Sequence, residues 1–253
     1  PALVIGGYAE RTRFSVVLWF SALWLLVVYA PVAHWIWGNG WLAKLGVMDF
    51  AGGIVVHVNA GVAALVCAKV IGNRRGFPQV PMPPHSLPVV AMGAGMLWVG
   101  WFGFNGGSAL AANGTAGMAI LATHLGACSG ALAWTVIEWR RYGKPSVLGL
   151  LTGVVAGLGT ITPASGFVGP LGAVVIGLVA GTVCYYATHV LKRVLHIDDS
   201  LDVSPVHGVG GVVGTLLTAV FASTALGGTG FTVQQDILGQ LGVQAMGIAA
   251  TAI

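Results

Sequence analysis

Four long stretches of this 253-residue chain, 14–43, 76–137, 145–191 and 203–235, contain no Asp, Glu, Lys or Arg. A helix crosses a hydrocarbon layer in about 20 apolar residues, so several spans must follow one another. Composition agrees: charged residues make up 7% of the chain and apolar ones 56%, with a mean hydropathy of +0.87, whereas a soluble domain carries roughly 25% charge. The expected fold is all-α, a polytopic transmembrane helical bundle. A cleavable leader would show one short apolar core before a polar mature protein, and no segment here has that form. Residues 2–9 are too short to cross alone, and 236–253 stops inside an apolar run, so both ends are expected to be truncated.

Clusters of Gly, Pro, Asn and charge divide the chain into a partial span ending near Ala9, then spans at 14–37, 50–71, 87–110, 116–139, 147–165, 171–191, 205–224 and 237–253. Lys and Arg alternate between connectors. Arg11 and Arg13, then Lys69, Arg74 and Arg75, then Arg140, Arg141 and Lys144, then Lys192 and Arg193 fall on one side, against Lys44 alone on the other. Basic residues mark the cytoplasmic side, so connectors 73–86, 140–146 and 192–202 face the cytoplasm and the first partial span runs inward. The net charge of +4 therefore sets orientation. Scattered over connectors, these residues form no face for nucleic acid.

Glycines recur inside spans at four-residue spacing: Gly149, Gly153 and Gly157, Gly177 with Gly181, and Gly210 with Gly214. Such ridges let helix backbones approach closely. Cys67, Cys128 and Cys184 lie singly in separate apolar runs without metal-ligand spacing, and read as packing residues.

Two segments resemble each other, Asp49-Phe-Ala-Gly-Gly-Ile-Val-Val-His57 and Asp199-Ser-Leu-Asp-Val-Ser-Pro-Val-His207, each with an Asp eight residues before a His. Eight residues put the imidazole roughly 12 Å inside the helix start, near mid-membrane. The two spans lie five apart, an odd offset that reverses direction, so the equivalent helices enter from opposite faces. Inverted five-helix repeats place their functional site at the midplane, around a central pore. The chain is then one transmembrane domain over 1–253, with 1–71 ending a first repeat, 87–226 forming the second and 236–253 starting a last span.

Ionisable groups inside a membrane are costly and face cavities, so the matched pair His57 and His207 is assigned to function. His34, His85, His124, His189 and His196 have no such partner and are read as core imidazoles. Asp49 directly precedes an apolar run, where its carboxylate can cap the helix or attract a cation. Asp199 has the same place before His207, with Asp198 and Asp202 competing for it. Trp37 and Trp41 flank an outer connector, as headgroup anchors or for cation–π contact. Trp101, Phe102 and Phe104 sit together at an outward-facing end and suit either an aromatic gate or a belt.

Taken together, Ala9-Glu-Arg-Thr-Arg-Phe14, Asp49-Phe-Ala-Gly-Gly, His57-Val-Asn-Ala, Gly100-Trp-Phe-Gly-Phe-Asn-Gly-Gly-Ser108 and Asp202-Val-Ser-Pro-Val-His-Gly208 resemble the Amt/Mep/Rh ammonium transporter family, its Amt and Mep branch most. The resemblance covers the chain from the third span into the eleventh, so that about two and a half spans would precede Pro1. It implies that Trp37 and Ser108 form an outer ammonium recruitment site, with Asp49 supporting recruitment or shaping the vestibule. Phe104 would be one of two stacked phenylalanines below that site, its partner lying upstream of Pro1. Trp101 would line the pore, and His57 and His207 would be the twin histidines. It further implies a homotrimer in the plasma (inner) membrane with one pore per subunit, and a PII-type regulator acting on a cytosolic tail of the full-length protein. Neither a cofactor nor enzymatic activity is expected.

The chemistry fits ammonium or ammonia as the passing species. Acceptors and aromatic faces suit a polyatomic donor cation, and an apolar lumen makes passage of a hydrated ion expensive. Two rival readings are a coupled secondary transporter of another small solute, which needs broken helices around a wider site, and a membrane metalloenzyme. The latter lacks any HxxxH or HExxH spacing.

Overall fold

The computed structural model describes residues 1–233 and 235–252. Its α-helices are α1 (Ala2–Ile5), α2 (Phe14–Trp24), α3 (Ala30–Trp37), α4 (Trp41–Lys44), α5 (Asn59–Ile71), α6 (Leu87–Gly107), α7 (Gly114–Tyr142), α8 (Val147–Ile161), α9 (Pro170–His189), α10 (Gly210–Phe221) and α11 (Ile237–Ala252). π-Helical turns at Leu25–Tyr29, Gly53–Val58, Val190–Val194 and Ser204–Val209 join or extend several of them. Six segments among the described residues are long and apolar enough to cross a membrane: Phe14–Lys44, Gly53–Ile71, Leu87–Gly107, Gly114–Tyr142, Pro170–Val194 and Ser204–Phe221.

Local sequence explains most boundaries. Pro31 lacks an N–H and its ring crowds the carbonyl one turn back, and the backbone widens there, over Leu25–Tyr29, before α3 resumes. The Asn113 side chain accepts the Ala116 N–H at 3.1 Å to start α7, and Gly143, at φ 75°, closes it in the left-handed conformation. Ser146 starts α8 by accepting the Gly149 N–H at 2.9 Å.

Two expected spans end their helices earlier than the residues suggested. The helix of the first partial span ends at Ile5 rather than near Ala9, where Gly6 and Gly7 are pressed against Val203 and Ala64 and the chain turns away. The span expected at 147–165 is a 15-residue helix over Val147–Ile161, and the chain continues past Ile161 as buried turns around Pro163. The last helix runs to Ala252, and Ile253 lies outside the described residues.

Glycine ridges build the centre of the bundle. On α7, Gly126 and Gly130 put their carbonyls against Gly153 and Gly157 of α8 and Gly177 and Gly181 of α9, so a methyl at any of these four would collide with backbone. The three helices thereby pack at backbone distance, and α8 sits among α6, α7, α9 and α10.

Candidate functional site

Asp49 has one job in the fold. Its two carboxylate oxygens accept four backbone N–H groups, from Gly52 (2.9 Å), Gly53 (2.5 Å), Ile54 (2.8 Å) and Val55 (3.0 Å). These are the unpaired donors of the first turn before α5, and the carboxylate is 5% exposed. The opposite segment repeats the device in smaller form. Asp199, not Asp198 or Asp202, accepts from Val203 (3.1 Å) and Ser204 (2.6 Å).

Each capped start leads into a π-helical turn, and each such turn carries one histidine. The turn bearing His57 packs on α10, and the turn bearing His207 packs on α5. Four residues beyond each histidine stands a glycine that makes this crossing possible. Gly61 lies against the backbone of Gly208, and Gly211 against the Gly53 carbonyl and the Cβ of His57. A side chain at either would push the two helices apart.

The result is a buried imidazole pair. His57 and His207 are 1% and 7% exposed, with Nδ1 facing Nδ1 at 3.3 Å and ring centroids 5.1 Å apart. Trp101 stacks on His57 at 5.5 Å and lies within 6° of parallel to His207. Phe104 continues the row, 5.7 Å from Trp101 and 6.2 Å from His57. The indole is fixed by a hydrogen bond from its Nε1 to Thr162 Oγ1 at 2.9 Å, and that hydroxyl donates to Leu158 O at 2.8 Å.

Two facing Nδ1 atoms share one proton in a neutral pair, so one ring keeps a bare Nε2 and the other an Nε2–H. The pair thus presents one proton acceptor and one donor away from its shared bond. Among the described residues, His57 Nε2 has no hydrogen-bond partner.

Trp37 and Ser108 stand at the edges of this arrangement. Trp37 Nε1 donates to the Asp49 carbonyl at 2.8 Å, its ring lies beside Gly52, and 44% of the residue is exposed. Ser108 ends α6, where its hydroxyl donates back to Phe104 O at 2.8 Å. Phe102 turns away from the row toward His124, which also stacks on Trp98. The five other histidines are exposed or half-exposed rather than core imidazoles, because each sits near a helix end, on a connector or on an outward helix face.

A cavity of about 720 Å³ opens on the other side of the pair, running from His207 past Val206, Thr152 and Asp202 to Glu10, Arg74 and Lys192 near the basic connectors.

Two braces hold the helix starts, and sequence reasoning missed both. On α11, Gln244 is fully buried. Its Nε2 donates to the carbonyls of Met48 (2.7 Å) and Thr215 (3.1 Å), and its Oε1 accepts the Met48 N–H at 2.8 Å. Gln240 adds a bond to the Gly46 carbonyl at 3.0 Å. At the opposite end Arg74 grips Asp198 through Nε (2.9 Å) and Nη2 (2.8 Å), while Arg11 donates to the carbonyls of Gly72 and Asp198. Two glutamines one turn apart in an apolar helix were the available signal for the first brace.

The Ammonium Transporter Family model matches residues 1–253. The chain is 51% identical over 229 residues to "Ammonium transporter Amt1" of Archaeoglobus fulgidus, covering 90% of this chain and 58% of that protein. It is 49% identical over 228 residues to "Ammonium transporter" of Aquifex aeolicus, covering 90% of this chain and 53% of that one. The chain thus spans little more than half the length of these relatives. The crystal structure of Saccharomyces cerevisiae Mep2 superposes with a TM-score of 0.90 at 42% identity, covering 99% of this chain and 60% of that one. A whole-length family match, a shared fold and six membrane-length helices make this a multi-pass integral membrane protein, and the chain belongs to the Ammonium Transporter Family.

Proposed function

We propose that this chain forms the pore-bearing part of a transporter that passes ammonium or ammonia across a plasma (inner) membrane, and that His57 and His207 are its central relay. The observation that carries this reading is the buried Nδ1–Nδ1 contact of 3.3 Å, flanked by Trp101 and Phe104. A unit charge at the bilayer centre costs at least about 2.5–3.5 kcal/mol. An ammonium ion arriving at the aromatic row therefore gains by leaving its proton with an acceptor, and a bare imidazole Nε2 is one. Ammonia passes the apolar constriction, and the shared Nδ1 proton allows charge to follow along the pair.

Trp37 and Ser108 supply the outer recruitment site, through an aromatic face and a hydroxyl acceptor, with Phe104 closing the path below. Asp49 contributes by shape, since its oxygens are committed to four amides. The two capped helices belong to inverted repeats, with 1–71 ending the first and 87–226 forming the second. The full-length protein assembles as a homotrimer with one pore per subunit and is regulated by a PII-type protein.

The test is transport by the full-length protein in proteoliposomes. Ammonium gradients are expected to drive a saturable current that equal potassium gradients do not. Equal currents with both cations would contradict the reading.

A further inference from the structure

Asp202 has no part in capping, which Asp199 performs, and its backbone is held at φ 58°, in the left-handed region few non-glycine residues occupy. The conformation turns its carboxylate out of the helix start. There Lys192 Nζ lies 2.7 Å from Oδ1, with the two side chains 28% and 21% exposed. Both residues line the cavity that also reaches His207, five residues after Asp202 in sequence. Arg74, which also lines that cavity, is engaged by Asp198 and Glu10. Burial pushes the Asp202 carboxyl up from its ordinary range, and Lys192 opposes that rise, so the carboxylate depends on a cation beside it.

A lysine head group is an alkylammonium on a flexible four-carbon stem, with the same charge and N–H donors as ammonium itself. We propose that Asp202 is an ammonium site at the inner mouth of the pore, occupied by Lys192 as a tethered substitute until ammonium displaces it. The inference rests on the reading of the chain as an ammonium pore. It makes the inner mouth sensitive to accumulated product: ammonium on the inner side competes with Lys192 for Asp202 and holds the exit occupied.

The experiment follows uptake of labelled methylammonium by the full-length protein in proteoliposomes, against graded ammonium on the inner-face side. Inner ammonium is expected to slow uptake. Lys192→Met, which removes the tethered cation, is expected to lower the half-effect concentration roughly two- to five-fold, the range for a partly exposed ion pair. Lys192→Arg keeps a tethered cation and should stay near wild type, while Asp202→Asn should abolish the sensitivity. An unchanged half-effect concentration in Lys192→Met, with wild-type uptake intact, would overturn the inner site and leave the pore reading standing. Absence of wild-type uptake would instead overturn the pore reading and this site with it.

Discussion

The two histidine helices start alike and are secured differently. At the start of the His57 helix one buried carboxylate takes four amides, and the loop before it is gripped by the neutral side chains of Gln240 and Gln244. At the start of the His207 helix a carboxylate takes two amides, and the flanking loop is tied by guanidinium groups to Asp198. Charge placement explains the difference. Basic groups gather on the cytoplasmic side of membrane proteins, and here Arg11 and Arg74 lie at the start of the His207 helix. The His57 start is thus held by a buried carboxylate and neutral glutamine side chains, and the His207 start by a carboxylate and ion pairs.

The largest expected effect comes from the caps. Asp49→Asn leaves buried amides facing an amide that can satisfy only part of them, at a cost of about 3–5 kcal/mol. Asp199→Asn, with two amides instead of four, should cost roughly half as much. Denaturant unfolding of the purified protein measures both, and equal losses would erase the distinction between the starts. Next comes Gln244→Leu, which strands both polar groups of Met48 and the Thr215 carbonyl. About 2–3 kcal/mol is expected, with hydrogen exchange rising in the Gly46–Gly52 segment before it rises at Asp198.

The smallest effect concerns pH. Burial works against ionisation of Asp198, but its hydrogen bonds to Arg74 and the charges of Arg74 and Arg11 hold its carboxyl below the ordinary value of 3.8. A depressed acid stabilises the fold fully above that value and loses its contribution as pH falls through the lower folded one. Exchange in the segment around Asp198, taken relative to the intrinsic rate at each pH, should therefore stay flat from about pH 7 to 5 and rise only below the ordinary carboxylate range. Arg74→Gln should move that rise to higher pH, and no movement would mean that the ion pair does not secure the inner start.

The spans were legible because charge-free runs have a single physical reading in a chain this apolar, and the paired Asp-x7-His pattern located both imidazoles and offered Asp49 as a cap. What stayed hidden depended on contacts distant in sequence. Nothing in the order of residues places Thr162 under Trp101, and only the fold shows that the Gln244 amide reaches Met48 and Thr215. The competition among Asp198, Asp199 and Asp202 was undecidable for the same reason: one caps, one pairs with arginine and one faces the cavity. At 147–165 the apolar run is helical over Val147–Ile161 and then continues as buried turns, a break that hydropathy does not signal.

The most direct test of the central relay replaces both histidines with leucine in the full-length protein and records ammonium-evoked current in proteoliposomes. This removes the titratable pair and leaves the caps and glycine crossings in place. With protein assembly checked to be intact, the ammonium current is expected to vanish while any uncharged ammonia flux persists. A current equal to wild type in the double variant would show that no proton passes through His57 and His207.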